Sequence, residues 1–281
     1  KMRPSGLVFR CISILASYGH QLSATERPLF FIAVVCKFKE STMAEEKSQI
    51  KSKERVRERG EVFTAEREVN AMLDLVKDET ERIDSTFLEP ACGDGNFLAE
   101  ILRRKLAVCE RAYGRSAADY EKFSFYACTS IYGVDIMMDN VLACRERMFE
   151  IWNKEYTANC KKDANDETRE AVKYILSLNI VLGNALSMMC VDENGEDTDE
   201  PIIFPEWSFV LGAQLKRRDY RFDVLLKENA DENMYDMQFS LFGDDAMGTE
   251  NWMIDPITNE LIPKPVREFA PIHYRRVNEN V

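Results

Sequence analysis

The stretch Thr86-Phe87-Leu88-Glu89-Pro90-Ala91-Cys92-Gly93-Asp94-Gly95-Asn96-Phe97-Leu98-Ala99-Glu100-Ile101-Leu102 sets how the rest of the chain is read. A short apolar run ends on a carboxylate, a proline and two glycines interrupt it, and apolar positions then recur at helical spacing. The pattern is strand, glycine-bearing turn, helix. It repeats downstream. Ser130-Ile131-Tyr132-Gly133-Val134-Asp135 reads as a second strand ending on a carboxylate. Met137 to Trp152 reads as a helix with Val141, Leu142, Met148, Phe149 and Trp152 on its apolar face. Asn179 to Asn184 is a third strand, preceded by a helical stretch from Asp166 to Leu178, and Arg221 to Leu226 is a fourth. Strands alternating with helices predict an α/β domain, a parallel sheet with helices on both faces.

Composition narrows the function. The 281 residues hold 37 Lys plus Arg against 49 Asp plus Glu, a formal charge of −12, and two histidines, His20 and His273. So few histidines leave little room for a His-built metal centre or a His-centred triad, and no metal site is expected. An acidic chain does not hold nucleic acid by a broad basic surface alone. The small basic patches Lys51–Arg59, Arg103–Lys105 and Lys216–Arg218 read as exposed faces. With 45% apolar and 31% charged residues, the chain is composed like a soluble globular protein and not like a wholly disordered one. The eight cysteines form no C-x-x-C pair, and most have apolar neighbours. They read as free thiols in a reducing, cytoplasmic compartment. Apolar runs at Leu7–Ala16 and Leu29–Cys36 are interrupted or too short to span a bilayer, and no membrane partner is expected.

Residues 1–42 carry six basic and two acidic residues and read as a leader or appended extension outside the fold; without them the balance becomes −16. Residues 43–60 form a charged arm, 61–227 the α/β domain, and 228–281 an irregular, acidic, turn-rich tail. Within the domain, Thr64 is the expected N-cap of a helix over 64–79, and 191–200 an acidic loop.

In an open parallel sheet, ligands sit beyond the carboxyl ends of the strands. Gly93 and Gly95 let a ligand approach the backbone closely and leave amides at the start of the next helix. Asp135 suits the two hydroxyls of a ribose, and Asn184 an adenine edge. Each residue also has a purely structural explanation: Asp135 as a helix N-cap, Cys92 as a tolerated turn residue, Phe63 as core. The ordered set carries the inference, and no single residue does.

Taken in order, these motifs resemble those of S-adenosylmethionine-dependent DNA methyltransferases of restriction–modification systems, of the adenine-N6 type. Glu89-Pro90-Ala91-Cys92-Gly93-Asp94-Gly95 is similar to that family's D/E-P-x-C-G-x-G loop, which wraps the methionine moiety. Tyr132-Gly133-Val134-Asp135-Ile136 is similar to its second motif, whose acid binds the ribose, and Leu182-Gly183-Asn184-Ala185 to its third, near the adenine. Gly60-Glu61-Val62-Phe63-Thr64 resembles the G-x-F-[FY]-T segment that precedes the loop and closes over the cofactor. The resemblance covers residues 58–226, about 60% of the chain. It implies a Rossmann-like methyltransferase sheet and S-adenosylmethionine as cofactor. The residues it places around that cofactor are Phe63, Thr64, Glu89, Ala91, Cys92, Gly93, Gly95, Asp135, Ile136, Asn184 and Ala185.

One part of the family pattern is absent. An Asn/Asp-Pro-Pro-Tyr/Phe motif should follow the fourth strand and hold the flipped target base. Here Phe222 to Lys227 runs into Glu228-Asn229-Ala230-Asp231. Glu228 occupies the catalytic slot with neither Pro-Pro nor an aromatic in register, and a loop carboxylate is usually just solvated. The expectation is therefore the cofactor-binding half of a split or degenerate enzyme, with a partner polypeptide supplying DNA recognition. The alternative is an inactive binding or regulatory module. Separately, Met237 to Gly243 forms an apolar island in the acidic tail, and Gln238-Phe239-Ser240-Leu241-Phe242 resembles the peptide by which bacterial replication and repair proteins bind the sliding clamp. Leu241 and Phe242 would fill an apolar pocket and Gln238 would bond at its rim. Docking of the same side chains on the protein's own core explains the island as well.

Overall fold

Ile131, Tyr132, Gly133 and Val134 are all buried, which is the environment a short apolar run between two helical stretches predicts. The computed structural model describes residues 64–227, 251–254 and 261–280, and the backbone of Ile32–Ala33. The fold is mixed α/β. Four strands lie parallel in the order β1 (Ile32–Ala33), β2 (Phe87–Glu89), β3 (Ile131–Asp135) and β4 (Ile180–Asn184). Strand β1 falls in the stretch expected to lie outside the fold; its backbone pairs with Phe87 and Leu88. Beyond β4 the sheet continues antiparallel through β5 (Met189–Val191) and β6 (Asp197–Pro201), so the expected loop over 191–200 is largely a hairpin.

The helices follow the periodic segments. Helices α1 (Glu66–Asp74) and α2 (Lys77–Thr80) precede β2. The expected helix over 64–79 is thus interrupted at Leu75, and its N-cap is Ala65, not Thr64. Helices α3 (Asn96–Tyr113) and α4 (Ala117–Thr129) join β2 to β3, and α5 (Met138–Cys160) and α6 (Asp166–Asn179) join β3 to β4. Ser116 and Asn165 cap α4 and α6, accepting from the amides of Asp119 and Thr168. Leu142, expected on the apolar face of α5, is 54% exposed.

The two faces of the sheet are covered differently. At β3, a Cβ added to Gly133 would come within 2.9 Å of Leu98 Cδ1, so that face packs on α3. Tyr132 points the other way: its hydroxyl donates to Pro205 O at 2.7 Å and its ring meets Phe204 edge-on. Those partners belong to β7 (Ile203–Leu211), which pairs antiparallel with β8 (Gln214–Arg221). A hairpin therefore covers this face where a second helical layer was expected. The expected fourth strand is also corrected: Phe222–Lys227 is a short helix, α7. The Phe222 amide donates to Ile202 O, and Arg221 reaches forward to both carboxylate oxygens of Asp223 at 3.0 Å. A short stretch with four apolar residues, Phe222, Val224, Leu225 and Leu226, is compatible with either structure, and periodicity alone does not separate them.

Several charged residues lie elsewhere than expected. Lys105 is fully buried and donates to Ile83 O at 3.0 Å, to Ser130 Oγ at 2.5 Å and to Ser85 O. Burial pushes its ammonium down to about 7. Lys216, Arg217 and Arg218, expected as a basic patch, lie on β8, and each has its own acid: Glu268 at 3.0 Å, Asp219 at 2.6 Å and Glu206 at 2.6 Å. Asn179, also buried, donates to the carbonyls of Cys128, Thr129 and Ile131 and accepts from Trp207 Nε1 at 2.9 Å. It joins the start of β4 to α4, β3 and the hairpin. Among the described residues no helix is long and apolar enough to cross a membrane.

The last described segment is ordered by non-local contacts. Strand β9 (Trp252–Ile254) pairs with β10 (Leu261–Pro263), while β11 (Arg267–Glu268) and β12 (Ile272–His273) pair with β8. A 3-10 turn over Tyr274–Glu279 comes next. Here Glu121 of α4, 2% exposed, accepts from Tyr156 Oη at 2.6 Å, Asn165 Nδ2 at 3.0 Å, Arg275 Nε at 2.6 Å and Tyr274 Oη. Burial pushes its carboxyl up, but the bonds from Tyr156, Tyr274 and Arg275 outweigh that and hold it below the ordinary value of 4.5. Because the folded value is depressed, this contribution to stability is present above 4.5 and is lost as pH falls through the folded value. Hydrogen-exchange protection across 267–280, corrected for the pH dependence of the intrinsic rate, should therefore fall on acidification in the wild type. In Glu121→Gln the same amides should exchange faster at every pH, with a flatter acid dependence. Glu121→Ala, which leaves Arg275 and two tyrosines without their acceptor, should cost about 3–5 kcal/mol in chemical denaturation.

Candidate functional site

The loop after β2 turns sharply, and its two glycines make the turn possible. Gly93 and Gly95 adopt φ of +53° and +88°, the left-handed region that side chains disfavour. The Cys92 amide donates to Val134 O at 2.9 Å, and the Gly95 amide closes back on Cys92 O at 2.8 Å. The Gly93 amide donates to Asp135 Oδ2 at 2.9 Å. Asp135 Oδ1 meanwhile accepts from the Met137 amide at 2.8 Å and from Asn140 Nδ2 at 3.3 Å. The carboxylate at the end of β3 thus fastens the glycine loop on one side and starts α5 on the other. Asp135 is not the N-cap that its structural explanation expects: that position is Met137, whose amide donates to Asp135.

A second set of bonds closes the loop from above. Asn96 Nδ2 donates to Thr64 O at 3.2 Å, and Arg147 Nη1 reaches Asn96 Oδ1 at 2.6 Å and Asp94 Oδ1 at 3.4 Å. Thr64, Glu89, Ala91, Cys92, Gly93, Gly95, Asp135 and Ile136 are therefore gathered at the carboxyl ends of β2 and β3. Asn184 and Ala185 lie one strand further, after β4. The Asn184 amide donates to Asp197 Oδ1 at 2.9 Å, and its carbonyl oxygen accepts from the Leu186 amide at 3.0 Å. Its side chain holds its own turn to β6, where an adenine contact was expected. Phe63, Glu228, Gln238, Leu241 and Phe242 lie outside the described residues.

Glu89 is electrostatically unusual. It is 5% exposed, and its Oε2 has no hydrogen-bond partner among the described residues. Burial pushes the carboxyl well above the ordinary range, against the pull of the Ala91 amide. Cys92 is a buried thiol; its hydrogen bond with Cys144, and then burial, push it well above the ordinary value, so it is not an activated nucleophile. Among the described residues no group of three or more His, Cys, Asp or Glu side chains is placed to hold a metal ion.

Asn140, Cys144 and Arg147 are site residues that sequence reasoning misses. They recur at i, i+4 and i+7 on α5, a face detectable by spacing but masked by the apolar face beside it. No protein-family model, no curated protein and no solved structure matches this chain.

The loop glycines are required sterically as well as conformationally. A Cβ on Gly95 would sit 2.6 Å from Cys144 Sγ. Gly95→Ala should destabilise the fold by roughly 1–3 kcal/mol in urea denaturation. In a Cys144→Ala background the same substitution should cost less but not nothing, because the contact is relieved and the positive φ remains. Equal costs in the two backgrounds would show that the contact is not felt.

Proposed function

We propose that the carboxyl edge of β2 and β3 binds S-adenosylmethionine within a Rossmann-like methyltransferase sheet, and that the chain is the cofactor-binding part of a DNA adenine-N6 methyltransferase-like system. The observation that carries this reading is Glu89, a buried carboxyl with an unpartnered oxygen, set beside a left-handed glycine loop. Leaving such a group without a partner is costly, so a ligand that supplies the partner is the economical explanation. S-adenosylmethionine fits the donor set: its methionine part carries an ammonium, and its ribose offers two hydroxyls to the side of Asp135. Bound there, it would supply the methyl group for transfer. Asn96 holds Thr64, the last residue of the entry motif, against the loop.

DNA recognition is assigned to a partner polypeptide. Lys216, Arg217 and Arg218 each face an acid, so they offer little net positive surface to a phosphate backbone. Glu228 falls in the family's target-base slot by sequence order alone: the Pro-Pro that shapes that motif is absent, and the strand expected before it is the helix α7.

A second reading is favoured by a different observation. Gly95 and Gly133 are both explained by packing, against Cys144 and Leu98, and the Asn184 amide is committed to its own turn. That set suits a non-catalytic scaffold or regulatory module, to which sliding-clamp docking through Gln238, Leu241 and Phe242 would belong.

Calorimetric titration with S-adenosylmethionine separates the readings. Saturable one-site binding, weakened tenfold or more (about 1.4 kcal/mol) by Asp135→Asn, is expected on the first. Absence of heat and of competition by S-adenosylhomocysteine would sink it. Methyl transfer to DNA by the chain alone would remove the need for a partner.

A further inference from the structure

Two buried carboxyls in this fold meet opposite circumstances. Glu121 collects four donors, including the Arg275 guanidinium. Glu89 has the Ala91 amide alone and no guanidinium. It lies under the glycine loop, its Oε2 is unpartnered, and no Lys, Arg or His among the described residues pairs with it. The groups that face it are the Ala91 amide of the loop and the Cys144 thiol of α5. The Cys92 thiol lies beside it, and past Cys92 comes the Asp135 carboxylate at the end of β3. None of these is a cation. The Arg145 guanidinium of α5 interacts with both thiols, but it donates to the carbonyls of Ser177 and Ile180 and not to Glu89.

An isolated carboxylate in such a place is unfavourable by several kcal/mol, whereas the neutral acid is tolerated. A ligand ammonium changes the balance, because an ion pair inside a poorly solvated site is strong once its partner is present. We propose that uptake of a cationic ligand group at this site displaces one proton from the Glu89 carboxyl, so that binding is proton-linked and strengthens as pH rises. The step balances without a further reactant. The neutral Glu89 acid meets the ligand ammonium, the carboxyl O–H bond breaks, its proton goes to solvent, and the resulting carboxylate accepts from the ammonium. The inference rests on the cofactor reading and adds a regulation that the resemblance does not imply. Burial of the acid accounts for its direction of titration.

Linkage fixes what should be seen. While Glu89 is protonated in the free protein, affinity for a cationic ligand should rise about tenfold per pH unit, and then level off once the acid has titrated. A ligand without the cation should show no such slope. 5′-Methylthioadenosine, which keeps the adenine and ribose and lacks the amino-acid portion, is the comparison.

The test is calorimetry of the full chain with S-adenosylmethionine at a series of pH values from mildly acidic to mildly alkaline, each in two buffers whose ionisation heats differ widely. The difference in observed heat counts protons. One proton released per ligand in the wild type, none in Glu89→Gln, and none with 5′-methylthioadenosine is the expected result. Binding of S-adenosylmethionine with the same heat in both buffers at every pH would overturn the proton linkage and leave the cofactor reading intact. No binding at all would overturn the cofactor reading and the linkage with it. If Glu89→Gln does not fold, infrared difference spectra of the wild type, free against bound, make the assignment. Loss of a neutral carboxylic-acid carbonyl band on binding supports the proposal, and its absence overturns it.

Discussion

The bond from the Gly93 amide to Asp135 Oδ2 joins the turn after β2 to the end of β3, and the carboxyl edge of the sheet is arranged around it. The bond requires the loop to double back. That in turn requires positive φ at Gly93 and Gly95, and Gly95 must then lie flat on Cys144. The same carboxylate accepts from Met137 and Asn140, so it also sets where α5 begins. Asn140, Cys144 and Arg147 consequently fall on the side of α5 that meets the loop. Arg147 holds Asp94 and Asn96, and Asn96 holds Thr64. One side chain at a strand end thereby determines the positions of four separate segments.

The rest of the sheet is supported by two different covers, and the difference comes from chain economy. Parallel neighbours need a long crossover, and α3 to α6 provide it, with α3 packed on the Gly133 face. The opposite face has to be closed by the chain beyond β4. There it runs antiparallel through β5 and β6 and then folds over as the β7–β8 hairpin, with Tyr132 packed under Phe204 and Pro205. Asn179 and Trp207 join the two systems through a bond of 2.9 Å between buried polar atoms, so the hairpin is keyed to the start of β4 in a single register.

The part of this arrangement that is legible in the sequence is the part encoded locally. Thr86 to Leu102 contains its own strand, its own glycines and its own helical period, and the structure gives strand, loop and helix there. Phe222 to Lys227 lacks such punctuation, so its apolar run reads as a strand, whereas the Arg221–Asp223 pair and the bond to Ile202 O turn it into a helix. Lys105 reads as exposed because lysine usually is. Its burial depends on three oxygens from residues 83, 85 and 130, none of which a local pattern can supply. Distance along the chain sets the limit. Tyr274 and Glu121 are 153 residues apart, and nothing near either one announces the other. At the candidate site the same division holds: the glycine loop and Asp135 can be named from motifs, whereas the commitment of Asn184 to Asp197 depends on the fold of β6.

Burial alone does not separate a structural carboxyl from one that awaits a ligand; the inventory of donors does. Glu121 and Glu89 are 2% and 5% exposed, nearly the same, yet their acidities are displaced in opposite directions. Around Glu121 the chain itself supplies two hydroxyls, an amide and a guanidinium, and the charge is stable where it stands. Around Glu89 it supplies one backbone amide and two thiols, although Arg147 lies close enough to reach the neighbouring Asp94 and Asn96. A fold optimised for stability alone would have an apolar residue at position 89, since replacing an unpaired buried acid removes its desolvation cost. A carboxyl at the end of β2, under a loop whose glycines open it to close approach, is the feature that the proposed uptake of a ligand cation would explain.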